Sequence, residues 1–267
     1  MATTTQSSTF AKTYCNFSEV YIRSNETNQA EVAEKLQGCV RDSNFIHVGV
    51  SGMQNYDFIA RLRPQYAMLI DINEATCLFH SLIKEAILSS ENVNEFIEYI
   101  TKKLSQSDFQ ISEAHIRAFQ EKKDFWLQDD NFQYIREMFQ RGDIKIQNVN
   151  IADERTSEML ESYCEEKRAQ VGSIYISNVA DWLIDNLDEL FSMETNIQKL
   201  KGKRDEMIVI YSDGTLRLHE NNLEHHPIVQ KISCLARDSF TLYTEIRKHF
   251  MTTGALTRRS QMKELTL

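Results

Sequence analysis

The sequence is poor in the residues that loosen a chain. Only 2 prolines and 8 glycines occur in 267 residues. That scarcity argues against flexible linkers and favours long helices. Basic residues never form a long block. The densest run is KLKGKR, Lys199–Arg204, which reads as a solvated helix end. With a net charge of −9, the chain opposes non-specific binding to a phosphate backbone, so no nucleic-acid partner is expected. Cysteines are few and never fall in a CxxC pair. The five, Cys15, Cys39, Cys77, Cys164 and Cys234, are read as free thiols of a reducing compartment, which speaks against a zinc knuckle. No stretch approaches the roughly 20 apolar residues of a membrane helix, and the N-terminus has no apolar core of signal-peptide length. The expectation is a cytoplasmic protein without a membrane partner.

The chain has a globular balance, with 42% hydrophobic and 26% charged residues. Phe45–Val50, FIHVGV, is a short apolar run stopped by Ser51 and Gly52, which favours a buried strand. QNYDFIARL, residues 54–62, has helical spacing and runs into Pro64. Tyr66–Ile72, YAMLIDI, is a second strand that ends in an acid. Strand, glycine turn, helix and strand make a βαβ unit, which demands a parallel sheet. From Glu74 to about Arg141 the pattern is helical, with Leu78, Phe79, Leu82, Ile83 and Ala86 as one apolar face. This block is expected to pack at the sheet's carboxyl edge as a helical insertion. Strands resume at Ile144–Ile151, Ser173–Ser177 and Met207–Tyr211. A helix is expected at Ala180–Phe191, a turn at Ser212–Gly214, and an antiparallel pair near the C-terminus, with Phe240–Ile246 as a candidate last strand. The fold class is therefore α/β, a Rossmann-like, doubly wound, mostly parallel sheet. Its bounds are 27–251, between a loose segment 1–26 and a polar tail 252–267. The mixed edge points to the class I methyltransferase variant.

Several residues could carry chemistry. Gly49, Ser51 and Gly52 lie where the first strand turns into a helix. Glycine permits that turn and lets a ligand approach the backbone. The fingerprint GxGxxG is not met, because Ser51 and Gln54 stand at the second and third glycine positions, so NAD is disfavoured. Asp71, at the end of the second strand, can accept both ribose hydroxyls of a nucleoside, or it can cap the next helix. The two roles coexist if Asn73 is the cap. Asp153 can reach an adenine amino group or cap the helix at 154–167. Asn73, Cys77, His80 and Lys84 form a polar stripe on one helix, facing either substrate or solvent. His219, His225 and His226 match no zinc spacing and sit in what reads as a loop.

Together these segments resemble an uncharacterised group of methyltransferase-like proteins of bacteria and plants. HVGVSGMQNYDFIARLRPQYAMLIDI resembles the group's glycine loop, Gln-Asn-Tyr/Phe helix and Arg-Pro turn. His80 and Lys84 fall where the group carries histidine and lysine. FWLQDDNFQYIREMFQRGDI and YISNVADWL resemble two further segments. The resemblance implies a class I fold that binds S-adenosylmethionine. Gly49, Ser51, Gly52, Gln54 and Asn55 would then frame the methionine part, Asp71 the ribose and Asp153 the adenine, with Ser177 at the cofactor and Asn178 facing the methyl group. His80 would act as general base beside Lys84. His47 and Ser51 depart from the usual pattern of such enzymes, an acid and a glycine. They favour the alternative, a degenerate Rossmann-type binding domain without catalysis. A third reading, an effector delivered into a host cell, is permitted by the polar tail KELTL. Methyl acceptor and oligomeric state stay open.

Overall fold

A computed structural model describes residues 44–106, 124–177, 186–201, 206–213 and 226–233, with isolated positions at 32, 36, 117, 119–121, 179 and 183. Its strands are β1 (Phe45–Val50), β2 (Tyr66–Asp71), β3 (Ile144–Asn148), β4 (Gln170–Ser177), β5 (Glu206–Asp213) and β6 (His226–Ser233). They form one sheet in the order β3-β2-β1-β4-β5-β6. The first five are parallel, and β6 pairs antiparallel with β5. This is a Rossmann-like order, and its direction reverses between β1 and β4, where open α/β sheets bind ligands.

Alternation along the strands sends two sets of side chains to two faces. Ile46, Val48, Val50, Met68, Ile70, Val171, Ile174, Ile176, Met207 and Val209 share one core. Helices α5 (Glu154–Lys167) and α6 (Leu187–Lys201) cover it. The other face carries Ala67, Leu69 and Ile144 under α1 (Gln54–Leu62), α2 (Glu74–Leu88), α3 (Val93–Leu104), the 3-10 turn η1 (Phe125–Leu127) and α4 (Asp129–Arg141). Trp126, fully buried, packs 5.2 Å from Tyr56 and 5.3 Å from Phe96 between ring centroids. Asp57 of α1 accepts the Trp126 backbone N–H at 2.9 Å. The described helices between β2 and β3 therefore thicken one face of the sheet. Of these helices α2 starts at the carboxyl edge, and the apolar stripes of the block match α1 and the strands beneath.

Several boundaries differ from the sequence reading. β3 stops at Asn148, three residues early. Asn148 Nδ2 turns back to the carbonyls of Asp71 and Ile72, and Asn150 accepts the Ala152 N–H, so the asparagines satisfy local backbone instead of the ladder. β4 starts three residues earlier than expected, and α6 runs on to Lys201. Ser212 and Asp213 lie within β5, not in a turn, and His226 opens β6, not a loop. On α2 the buried side is Phe79, His80, Ile83 and Ala86, whereas Leu78 is 55% exposed. The polar stripe faces inward as far as His80. Asn178, His219, His225, the 240–246 strand and the two terminal segments lie outside the described residues. Among the described residues no helix is long and apolar enough to cross a membrane.

Candidate functional site at the carboxyl edge

The β1 turn is filled by the protein's own side chains. Ser51 adopts φ 73°, the left-handed region that side chains disfavour. Its carbonyl accepts from His80 Nε2 at 2.9 Å and from Asn55 Nδ2 at 3.2 Å. Asn55 Nδ2 also faces the carbonyls of Val50 and Gly52, at 3.1 and 3.0 Å, so its two protons are shared among three acceptors. A Cβ on Gly49 would collide with the Asn55 carboxamide. Gly49 is thus required by Asn55, not by an open ligand channel.

Hydrogen-bond chemistry fixes the proton positions. A carbonyl only accepts, so His80 Nε2 carries the proton, and neutral Nδ1 accepts from Tyr56 Oη at 3.0 Å. Asn55 Nδ2 faces three carbonyls, so its Oδ1 faces His47 Nε2 at 3.4 Å and accepts from it. His47 Nδ1 then accepts from Ser173 Oγ at 2.8 Å. The ladder between β1 and β4 shifts at Ile46/His47, where β4 carries Gly172 as an extra residue, and this brings Ser173 opposite His47. Burial pushes both imidazoles down to about 4, against weaker opposing hydrogen bonds that they donate to Asn55 and Ser51. His80 is 1% exposed with both nitrogens engaged. In this arrangement the imidazole expected as a general base holds the turn. Lys84, half-buried, lies one helical turn further from the sheet edge, about 6 Å along α2.

Across the edge, β2 ends differently. Asn73, not Asp71, caps α2 by accepting the Ala75 N–H at 2.9 Å. Asp71 accepts the Asn73 N–H at 2.7 Å, and the amides of Ser51 and Ile72 also donate to its carboxylate. Burial nonetheless pushes this half-buried carboxyl up to about 6, against those three bonds. From the next residue on, Ile72, Glu74, Ala75, Leu78 and Asn148 line an open depression of about 370 Å³. Cys77 beneath is inert as a nucleophile, since burial and then the Asp71 charge push its thiol up to about 11.

The remaining expected residues are dispersed. Asp153 caps α5 through the Arg155 N–H at 2.9 Å and pairs with the Arg155 guanidinium at 3.1 Å, which holds its carboxyl below the usual range. The capping reading is the one its bonds satisfy. Gln54 opens α1 half-buried, and Ser177 ends β4. Sequence reasoning missed His47, Tyr56 and Ser173 as parts of the turn. The available signal was a histidine inside the apolar strand FIHVGV, since a buried polar group needs a partner.

The fold is that of a Rossmann-like α/β domain, with a closed turn and an open depression as its candidate site near the switch point. By sequence profile the chain belongs to a family described as a domain of unknown function, DUF7790, matched over residues 21–124 and 108–238. No curated protein matches it.

Proposed function

We propose that the chain binds S-adenosylmethionine, or its demethylated product, at the carboxyl edge, as a domain of the class I methyltransferase type. One observation carries the reading. The Asp71 carboxylate stands beside the switch point, relieved of capping by Asn73, and the next residue, Ile72, lines an open depression with Ala75 and Leu78. A nucleoside needs that pairing, an acceptor for two hydroxyls and an apolar wall for a flat base. Asp71 would take the ribose, and Ile72 and Leu78 the base. When bound, the cofactor supplies an already activated methyl group, so the chain's task is to orient and to exclude water. The small-molecule ligand would meet a protein working in the cytoplasm, a reading supported by unpaired Cys77 and Cys164.

The test is thermal unfolding with S-adenosylhomocysteine. Saturation at 100 times the dissociation constant should stabilise the fold by about 2.7 kcal/mol. Asp71→Ala should lose most of that shift, because charge-assisted bonds to the ribose are worth roughly 1.5–3 kcal/mol each. No shift and no calorimetric heat at millimolar ligand would defeat the reading.

A second reading, binding without catalysis, is favoured by the filled turn and by His80, which has no nitrogen available for a substrate proton. Label transfer from methyl-labelled cofactor to an acceptor, lost in Asp71→Ala, would decide for the enzyme.

A further inference from the structure

We infer that His80 is a positioning residue for the amino-acid end of the ligand, holding the Ser51–Gly52 peptide so that the Gly52 N–H is presented to the ligand's carboxylate. The inference rests on the reading that S-adenosylmethionine, with its ribose on Asp71, occupies this edge.

His80 Nε2 donates to the Ser51 carbonyl at 2.9 Å. A peptide unit is planar, and no described peptide bond is cis. A carbonyl turned towards the imidazole therefore aims the Gly52 N–H, on the same plane, the opposite way. Asn55 also reaches this carbonyl, at 3.2 Å, but it divides two protons among three acceptors. His80 brings the shorter bond. The imidazole is fixed in turn, because it is buried and Tyr56 Oη donates to its Nδ1 at 3.0 Å.

The amides that follow β1 differ in what they meet. The Ser51 N–H goes to the Ile70 carbonyl at 3.3 Å and to the Asp71 carboxylate. Gly52 comes next, is buried, and no described residue accepts its N–H. A buried N–H without an acceptor calls for a partner. The carbonyls of Val50, Ser51 and Gly52 already face Asn55. What the turn keeps for a ligand is thus a donor, which suits a carboxylate. Ser51 joins Asp71 to Gly52, so the ribose acceptor and the unengaged donor are one residue apart. A ligand with its ribose on Asp71 and a carboxylate on its 5′ chain spans the two.

Isothermal titration of the full chain with S-adenosylhomocysteine and with 5′-methylthioadenosine, which lacks the amino-acid carboxylate, tests this. The wild type should bind S-adenosylhomocysteine at least about tenfold more tightly. Asparagine at position 80 places its amide where Nδ1 lies and keeps the Tyr56 contact without reaching Ser51, whereas glutamine can place an N–H where Nε2 lies. His80→Asn should weaken S-adenosylhomocysteine at least about tenfold and leave methylthioadenosine within about threefold. His80→Gln should return S-adenosylhomocysteine to within about threefold of the wild type. Equal weakening of both ligands by His80→Asn would mean that His80 only supports the fold. That result, or S-adenosylhomocysteine unaffected by His80→Asn, would overturn the inference and leave the cofactor reading standing. One measurement needs no variant. The Gly52 amide resonance of the wild type should move with S-adenosylhomocysteine and stay with methylthioadenosine, and a Gly52 amide that moves with neither would also overturn the inference. No heat from either ligand with the wild type would defeat the cofactor reading and the inference together.

Discussion

The turns after β1 and β2 lie side by side at one sheet edge and are built on opposite principles. The β1 turn is closed by neutral groups, His47, Asn55, Tyr56, His80 and Ser173, each buried and each engaged in a hydrogen bond to another member or to the turn's backbone. The β2 end exposes part of a carboxylate whose charge the fold disfavours, next to apolar side chains left in water. A satisfied polar network rigidifies its surroundings. A charge kept where burial opposes it marks a candidate for binding. The two turns meet at Ser51, whose carbonyl belongs to the first and whose amide belongs to the second.

The largest effect should come from breaking the closed turn. Gly49→Ala drives a methyl into the Asn55 carboxamide. Overpacking costs about 1–3 kcal/mol, and each buried polar group left unpaired adds about 1–3 kcal/mol. A total loss of about 4 kcal/mol is expected by urea denaturation. A loss under about 1 kcal/mol would mean that the turn opens readily, and the contrast between the two ends would fail.

Acid should come next. Both histidines fold with values near 4, against 6.5 in the unfolded chain. The unfolded state therefore binds more protons, and stability is lost as pH falls from 6.5 towards 4. Asp71 acts the other way, because its folded value near 6 lets the native state take up a proton between pH 6 and about 4. At pH 5 the histidines cost about 2 kcal/mol each and Asp71 returns about 1, a net loss of about 3 kcal/mol relative to pH 7. His47→Gln should roughly halve the histidine contribution. Stability that rises between pH 7 and 5 would show that the imidazoles are not neutral and buried together.

Much of the fold was legible because it depends on local pattern. FIHVGV, YAMLID and MIVIY are short apolar runs, and a helix between the first two compels a parallel sheet. Of the candidate site, sequence pointed only to the β2 side, where the acid at a strand end is a positional signal. The β1 turn is assembled across long separations. His80 reaches Ser51 over 29 positions and Ser173 reaches His47 over 126. No window of sequence contains such a pair. The same limit misassigned the α2 stripe. Leu78 and His80 exchange the faces that polarity suggests because Tyr56 and Ser51 satisfy the imidazole.

A smaller and opposite effect should mark the β2 side. Asp71→Asn keeps an acceptor oxygen for the Asn73 N–H and removes a charge that burial disfavours. The fold should gain about 1–2 kcal/mol at pH 7. The gain should vanish near pH 4, where Asp71 is itself protonated. Nucleoside binding should weaken in the same variant. Stability gained where binding is lost is the pattern of a residue kept for function. A clear loss of stability at pH 7 would instead make Asp71 a structural clamp, and the two ends would then be alike.

The smallest effect concerns Ser51, where the two ends join. A non-glycine residue at φ 73° stores about 1–3 kcal/mol of strain. Glycine would remove that strain, but it costs roughly 0.5–1 kcal/mol of backbone entropy. Ser51→Gly should therefore stabilise the domain by up to about 1 kcal/mol, a rise in melting temperature of roughly 2–4 °C. The carbonyl bonds from His80 and Asn55 and the amide bond to Asp71 use backbone atoms and survive the substitution. The acid sensitivity should accordingly stay as in the wild type, because His80 keeps its partner. Combining Ser51→Gly with Asp71→Asn tests the join itself. Additive gains would mean that strain and charge are independent, whereas a shortfall beyond about 0.5 kcal/mol would mean that the carboxylate holds Ser51 in its strained conformation through the amide. A destabilised Ser51→Gly, with an unchanged backbone, would show that the serine side chain contributes a contact worth more than the strain it imposes.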